Sequence, residues 1–320
     1  MWTRRNALFL PLAAGACATL PGGPPLDAQF TNIETLSESV HSGVSSEDGE
    51  QRLTMRLCRY PQLGLAWLWM HTRIDGQFYS FVNHIAPSGT DATVVDGDSV
   101  RYADAANSLV FERKGKVTAP TAATVSGTCM ARKSATSAFG NGDQSMEATI
   151  AFSPERLYSG LNKGRTEVFG KGIATVTING KRVEFSGPAQ FHEQGQTNPR
   201  FTAAFCYMTL WGEGAASTML ITARRREGYL LEGDKATEVS SVVIDPPAPH
   251  RAISVTLADG RKLGGEASVV QAYTLPMVGN TWRGHMVNVD LGGRRYRGHV
   301  NDYIINDGIP YRGATPPVSG

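Results

Sequence analysis

Four cysteines in 320 residues are too few for a disulfide scaffold. Neither a Cys-x-x-Cys pair nor a Cys/His spacing marks a zinc site. Cys58, Cys129 and Cys206, which follow Cys17, allow at most one bridge and read as small buried residues on strands. There is no glycine-rich phosphate loop, no His-Glu-x-x-His helix and no Gly-x-Ser-x-Gly elbow, which argues against nucleotide-dependent and zincin chemistry. Excess charge is missing too. The formal net charge is +2 with 19% charged residues, so a nucleic acid meets no basic field, and Arg224-Arg225-Arg226 reads as a solvated strand end. No amphipathic helix longer than two turns is evident.

What is present begins with a short basic start and an apolar stretch from Ala7 to Leu20, too short to span a bilayer. It reads as an export signal. Thr3-Arg4-Arg5 is similar to a twin-arginine signal, with Ala7 where Phe is expected. Ala14-Gly15-Ala16-Cys17 is similar to a lipoprotein processing site, in which Cys17 is the lipidation site and a membrane anchor; cleavage near Ala16 or Ala18 is the competing reading. Either predicts a periplasmic, exported protein. Residues 21 to 50, rich in Pro, Gly, Ser and Glu, read as a linker and a loosely ordered start.

From Gln51 the pattern is that of strands. Leu53, Met55 and Leu57 alternate with Thr54 and Arg56. Asp75-Gly76, Asn179-Gly180, Asp259-Gly260 and Gly292-Gly293 supply the positive φ angles of tight hairpins. Ser153-Pro154-Glu155-Arg156-Leu157 reads as the start of a short helix, with Ser as cap and Pro in the first turn. A weak internal repeat, Trp67-Leu68-Trp69 matched by Tyr207 to Trp211, suggests two similar antiparallel units. The predicted fold class is all-β, with a signal and linker over 1–27 and two β domains over 28–185 and 186–320.

Hairpin arithmetic gives facing residues. About Asn179-Gly180, Val176 faces Val183 and Ala174 faces Phe185. About Gly292-Gly293, Asp290 faces Arg295, Asn288 faces Arg297 and Met286 faces His299, a polar face. The opposite, apolar face carries Val287, Val289, Leu291, Tyr296 and Val300, and with them His285 and, one diagonal step away, Asp302. That pair is either a hydrogen bond in a core or an acid–base pair lining a cavity. About Asp75-Gly76, Trp67 faces His84 and Trp69 faces Val82, with His71 and Phe78 on the same side. Both faces of this hairpin are apolar, as in a barrel wall with a partner outside. The central stretch Ser186 to Gly214 holds His192, Glu193 and an aromatic run ending at Trp211. Pro188 and Pro199 suggest an edge or crossover, with His192 and Glu193 pointing to opposite faces if extended.

The segment Gly187-Pro188-Ala189-Gln190-Phe191-His192-Glu193-Gln194-Gly195, with two β units and aromatic strands after it, resembles the tandem lipocalin-like superfamily. That group includes carotenoid hydratases (hydroxyneurosporene synthases) and attachment-type secreted proteins. In such proteins a Gly-rich approach leads to an Asp-His pair, a polar residue and Gly. His192 and Gly195 match, Phe191 stands where Asp is expected, and Glu193 is adjacent. The resemblance implies two lipocalin-like antiparallel β-barrels in tandem. It also implies a cofactor-free, metal-free enzyme of the hydratase, dehydratase or isomerase type acting on an apolar, isoprenoid or other alkene-bearing molecule. His192, Glu193, His285 and Asp302 are the candidate acid–base groups. Trp67, Trp69, His84, Tyr207, Trp211 and Tyr296 are the candidate ligand contacts. A non-catalytic carrier of a hydrophobic small molecule needs the same cavity, and an interaction protein with a filled core needs none.

Overall fold

The computed structural model describes residues 36–90, 99–158, 164–197, 201–277 and 280–305. Cys17 and the export signal lie outside the described residues, as do Pro199 and Arg200. The first unit comprises β1 (Ser37–Ser45), β2 (Arg52–Tyr60), β3 (Leu65–Ile74), β4 (Gln77–Pro87), β5 (Ser99–Ala103), β6 (Leu109–Lys116), β7 (Ala119–Ala131), β8 (Gln144–Tyr158), β9 (Arg165–Ile178) and β10 (Lys181–Gln196). These form one antiparallel sheet in the order β4-β3-β2-β1-β10-β9-β8-β7-β6-β5. The sheet curls until its edges meet through isolated bridges, Ser88 with Asp104, Ser80 with Arg132 and Val82 with Gly140. The second unit comprises β11 (Phe205–Gly212), β12 (Ala215–Thr222), β13 (Arg226–Glu232), β14 (Lys235–Ile244), β15 (His250–Leu257), β16 (Lys262–Met277), β17 (Asn280–Leu291) and β18 (Arg294–Ile305). These eight strands close into a barrel in chain order. The fold is therefore the all-β tandem of lipocalin-like barrels expected from the sequence, the first as a curled sheet.

The hairpin registers follow the turn dipeptides. Val176 pairs with Val183 and Ala174 with Phe185; Met286 pairs with His299 and Asn288 with Arg297; Trp69 pairs with Val82. Trp67 falls at an irregularity between Ala66 and Leu68, and its ring still stacks on His84 at 4.1 Å. Asp259-Gly260 turns more widely, with Leu257 N–H donating to the Arg261 carbonyl.

Three sequence expectations are corrected. Ser153–Leu157 does not start a helix: it continues β8 between β7 and β9, with a register shift between Pro154 and Arg156 that accommodates the missing proline N–H. The stretch expected to be loosely ordered contains β1, a central strand flanked by β2 and β10. Its polar sequence, Ser-Glu-Ser-Val-His-Ser-Gly-Val-Ser, hides alternation: Val40 and Val44 enter the core, Glu38 meets Arg59 at 2.6 Å, and Ser42 donates to the Gln190 carbonyl. The expected boundary at 185/186 cuts β10, which is an interior strand of the first unit, not an edge or crossover. Pro188 lies one residue past the last pair with β1, Val44 with Ala189, where the ladder on that side has ended.

Each unit has its own core. Leu57, Leu68, Phe111, Ile150 and Phe191 help fill the first; Met208, Ile221, Val255, Val287 and Tyr296 help fill the second. The outer faces of the two walls then bury each other. All ten positions of β3 are buried or half-buried, because Leu68 and Met70 face inward while Trp67 and Trp69 face Tyr273, Trp282 and Tyr303 of the second barrel. Trp211 seats on Gly43, where an added Cβ would lie 3.2 Å from the indole. Arg52 reaches across to the Val287 carbonyl at 3.0 Å.

Candidate active site

A cavity of about 290 Å³ lies between the barrels, at the lower end of the size range of small-molecule sites. Its walls come from the outer faces of both units. The first supplies His41, Arg56, Trp69, His71, Arg165 and His192; the second supplies Tyr207, Tyr273, Trp282, His299 and Asn301. Neither barrel contains the site alone.

Gln190 sets the chemistry at one end. Its Nε2 lies 2.9 Å from His192 Nδ1 and its Oε1 lies 2.9 Å from His41 Nδ1. Arg165 Nη2 also approaches His192 Nδ1, at 3.3 Å. An arginine can only donate, so that nitrogen must offer its lone pair. The amide N–H of Gln190 therefore also points to His192, and its oxygen accepts from His41. His192 keeps its proton on Nε2; His41 keeps its proton on Nδ1 and leaves the Nε2 lone pair unused. His41 Nε2 has no hydrogen-bond partner among the described residues. The two rings are stacked with centroids 5.1 Å apart, a neutral base beside a neutral donor.

Arg165 is held in turn by Glu167. Their oxygen and nitrogen lie 2.6 Å apart, and Glu167 also accepts from Tyr207 at 3.0 Å and Tyr229 at 2.6 Å. Arg165 donates to the Tyr207 hydroxyl as well. Burial opposes the Arg165 charge, but Glu167 with Tyr207 and Tyr229 holds its pKa above the ordinary value. This network joins β9 to β11 and β13, so it fixes the position of His192 and ties the two units together.

The other end is aromatic. Arg56 lies over the Trp69 ring at 4.4 Å, and Trp69 meets Trp282 edge-on at 5.4 Å. Trp69 Nε1 donates to His84 Nε2 at 2.8 Å. Tyr273 closes over Gly284, where a Cβ would lie 2.1 Å from the ring. His71 sits beside Tyr273 with centroids 4.8 Å apart, and neither of its ring nitrogens has a hydrogen-bond partner among the described residues. Asn301 Oδ1 and Trp282 Nε1 are likewise buried without one. Buried polar atoms normally find partners, so these three groups leave the cavity lining with hydrogen-bonding capacity that the described residues do not use. Among the described residues no group of three His, Cys, Asp or Glu side chains is arranged to hold a metal ion.

The sequence candidates divide. His192, Trp69 and Tyr207 line the cavity. Trp67 and His84 stack behind that wall, and Trp211 packs in the interface with Phe169 and Tyr229, 5.4 Å from His299. Glu193 points to the opposite face from His192, into the first barrel, where it meets Arg113 and the Tyr102 hydroxyl. His285 and Asp302 lie inside the second barrel. Both Asp302 oxygens accept from Arg251, at 2.8 and 3.2 Å, and His285 Nδ1 bonds the Val300 carbonyl at 3.0 Å. Tyr296 belongs to that same core. The structure thus brings one of the four acid–base candidates to the cavity. The cavity adds His41, Gln190 and Arg165, which the sequence reading did not single out, and makes His299 a wall residue. Alternation of Ser39 and His41 against Val40 and Val44 was the available signal for His41.

Burial drives the histidines neutral. His41 is lowered to about 4, by desolvation first and then by Arg56 and Arg165 against the bond to Gln190. His71 and His84 are lowered to about 3, mainly by desolvation, and His299 falls well below its ordinary value for the same reason. All are below the unfolded value of 6.5, so below that pH the unfolded chain takes up protons that the folded chain refuses. Stability should therefore fall as pH drops from 6.5 toward about 4, by up to roughly 1.4 kcal/mol per pH unit for each histidine. Urea midpoints measured across this window should move steeply; a flat profile would contradict the burial of these rings.

No protein-family model matches the sequence, and no curated protein matches it. Among solved structures the chain is similar to an AttH-like protein of Nitrosomonas europaea, 11% identical with a TM-score of 0.52, over 89% of this chain and 98% of that one. It is also similar to CghA crystallised with Sch210972, 11% identical with a TM-score of 0.49, over 86% and 90% of the two chains. A third is kievitone hydratase from Nectria haematococca, 9% identical with a TM-score of 0.43, over 88% and 92%. At 11% identity the likeness to the AttH-like protein is one of fold.

Proposed function

We propose that this protein is an acid–base enzyme of the hydro-lyase or isomerase type, acting on an apolar, alkene-bearing small molecule held between its two barrels. The observation that carries the reading is the pair of stacked histidines whose opposed tautomers are fixed by Gln190 and Arg165. His41 Nε2 is the base and His192 Nε2–H the donor. Aromatic walls hold the apolar body, and the chemistry calls on no cofactor. A carrier of the same ligand would use the cavity and walls but has no need of two imidazoles held in opposed tautomers. The sequence from Thr3-Arg4-Arg5 to Cys17 supports an activity outside the cytoplasm.

The test is native mass spectrometry of protein recovered from the membrane and periplasmic fractions of its own host. A co-purifying apolar molecule should be converted on further incubation, with gain or loss of one water for a hydro-lyase, or no change of mass for an isomerase. A molecule returned unchanged would make the protein a carrier. Recovery from the cytoplasmic fraction alone would remove export from the reading.

A further inference from the structure

The substrate class is written in the charges of the cavity. Arg56 and Arg165 line it, and no Asp or Glu is among its described lining residues. The carboxylate closest to the chemistry, Glu167, pairs with Arg165 and two tyrosine hydroxyls. The four lining histidines, His41, His71, His192 and His299, come from four different strands. The protonated form of His41 is disfavoured in part by the two arginines themselves.

A positive potential of this kind opposes protonation of an isolated alkene, which leaves a carbocation. Two of the aromatic faces lining the cavity, of the kind that shelters a cation, already carry one. Arg56 covers Trp69 at 4.4 Å and Arg165 covers Tyr207 at 5.1 Å. The same potential stabilises an oxyanion. His71, buried and with no partner at either nitrogen among the described residues, adds a hydrogen-bond donor on the cavity wall.

We infer that the substrate carries a carbonyl next to its reacting carbons, so that the alkene formed or shifted there ends up conjugated to it, and that the carbonyl oxygen carries negative charge in the reacting complex. The proposal rests on the reading of the cavity as the ligand site and names its substrate class. His41 Nε2 takes a proton from the carbon next to the carbonyl. The C–H electron pair becomes the new C=C bond, and the carbonyl π pair moves to oxygen. In elimination the oxyanion re-forms the carbonyl, the β C–O bond breaks, and the departing hydroxyl leaves as water with the proton from His41. In isomerisation the proton returns at the far carbon of the conjugated system. No other reactant is needed.

The probe is para-nitrophenol, whose ionised form is read by visible absorbance, with nitrobenzene as the neutral comparison. Binding is followed by quenching of tryptophan fluorescence, since Trp69 and Trp282 line the cavity. The phenolate should bind at least about tenfold more tightly than the phenol, seen as a fall of about one unit in the apparent pKa of the bound probe. Arg56→Met should abolish that preference with nitrobenzene affinity unchanged, and Arg56→Lys should retain most of it. Nitrobenzene and both forms of nitrophenol binding alike, with no shift, would overturn the oxyanion proposal and leave the ligand site standing. Quenching by none of the three would overturn the site itself.

Discussion

His41→Gln should lower kcat by roughly 10²–10⁴ once a substrate is in hand, the usual cost of removing a positioned acid or base. Glutamine is the replacement of choice because its amide still offers a donor to Gln190 Oε1, which His41 Nδ1 now approaches at 2.9 Å, and it removes the basic Nε2. Affinity for para-nitrophenol and the urea midpoint at neutral pH should stay near those of the unmodified protein, separating loss of chemistry from loss of the cavity. The pH profile adds a second readout. With His41 lowered to about 4, the acid limb of kcat/KM should fall near that value, not near 6.5 as for an exposed imidazole. A variant that turns over at full rate would remove His41 as the base. An acid limb at 6.5 would mean another group titrates.

Asp302→Asn should produce the largest loss of stability without touching the cavity. Asp302 and Arg251 are both fully buried and joined by two hydrogen bonds. Removing one charge of a buried pair strands the other in a medium that solvates it poorly, and costs about 3–5 kcal/mol. Replacing both partners together, Arg251→Met with Asp302→Leu, should recover much of that loss, because no buried charge then remains. Denaturant unfolding of the second barrel gives the measurement, and para-nitrophenol binding gives the control. Unchanged stability with lost turnover would return Asp302 and His285 to the catalytic candidates.

These expectations differ from those drawn on hairpin register alone, although the register was correct. Arithmetic about Gly292-Gly293 put His285 and Asp302 on the apolar face of the hairpin and His299 on the polar one, and both assignments hold. What register does not reveal is which face borders the cavity. A single lipocalin-like barrel suggests its own interior. Here both interiors are filled by aliphatic side chains and buried ion pairs, Arg113 with Glu193 in one and Arg251 with Asp302 in the other. The cavity opens on the face that would be solvent in a lone barrel. The clue was in β3, whose two apolar sides called for a partner wall outside.

Local physics settled much of this protein before any tertiary contact is considered. Alternation of Leu53, Met55 and Leu57 specifies strands, dipeptides such as Asn179-Gly180 specify turns through their positive φ angles, and the two together specify register, since side chains alternate with period two. The opposite orientation of His192 and Glu193 follows from the same period. The site itself was decided by long-range pairing. His41 and His192 are 151 positions apart in sequence and become neighbours only because β1 pairs with β10. Arg165 reaches His192 through β9, and Tyr207 and His299 arrive from a separate barrel. No local propensity encodes that meeting. It depends on two walls burying their outer faces against each other, and on a cavity left where buried polar atoms of His71, Asn301 and Trp282 find no partner among the described residues.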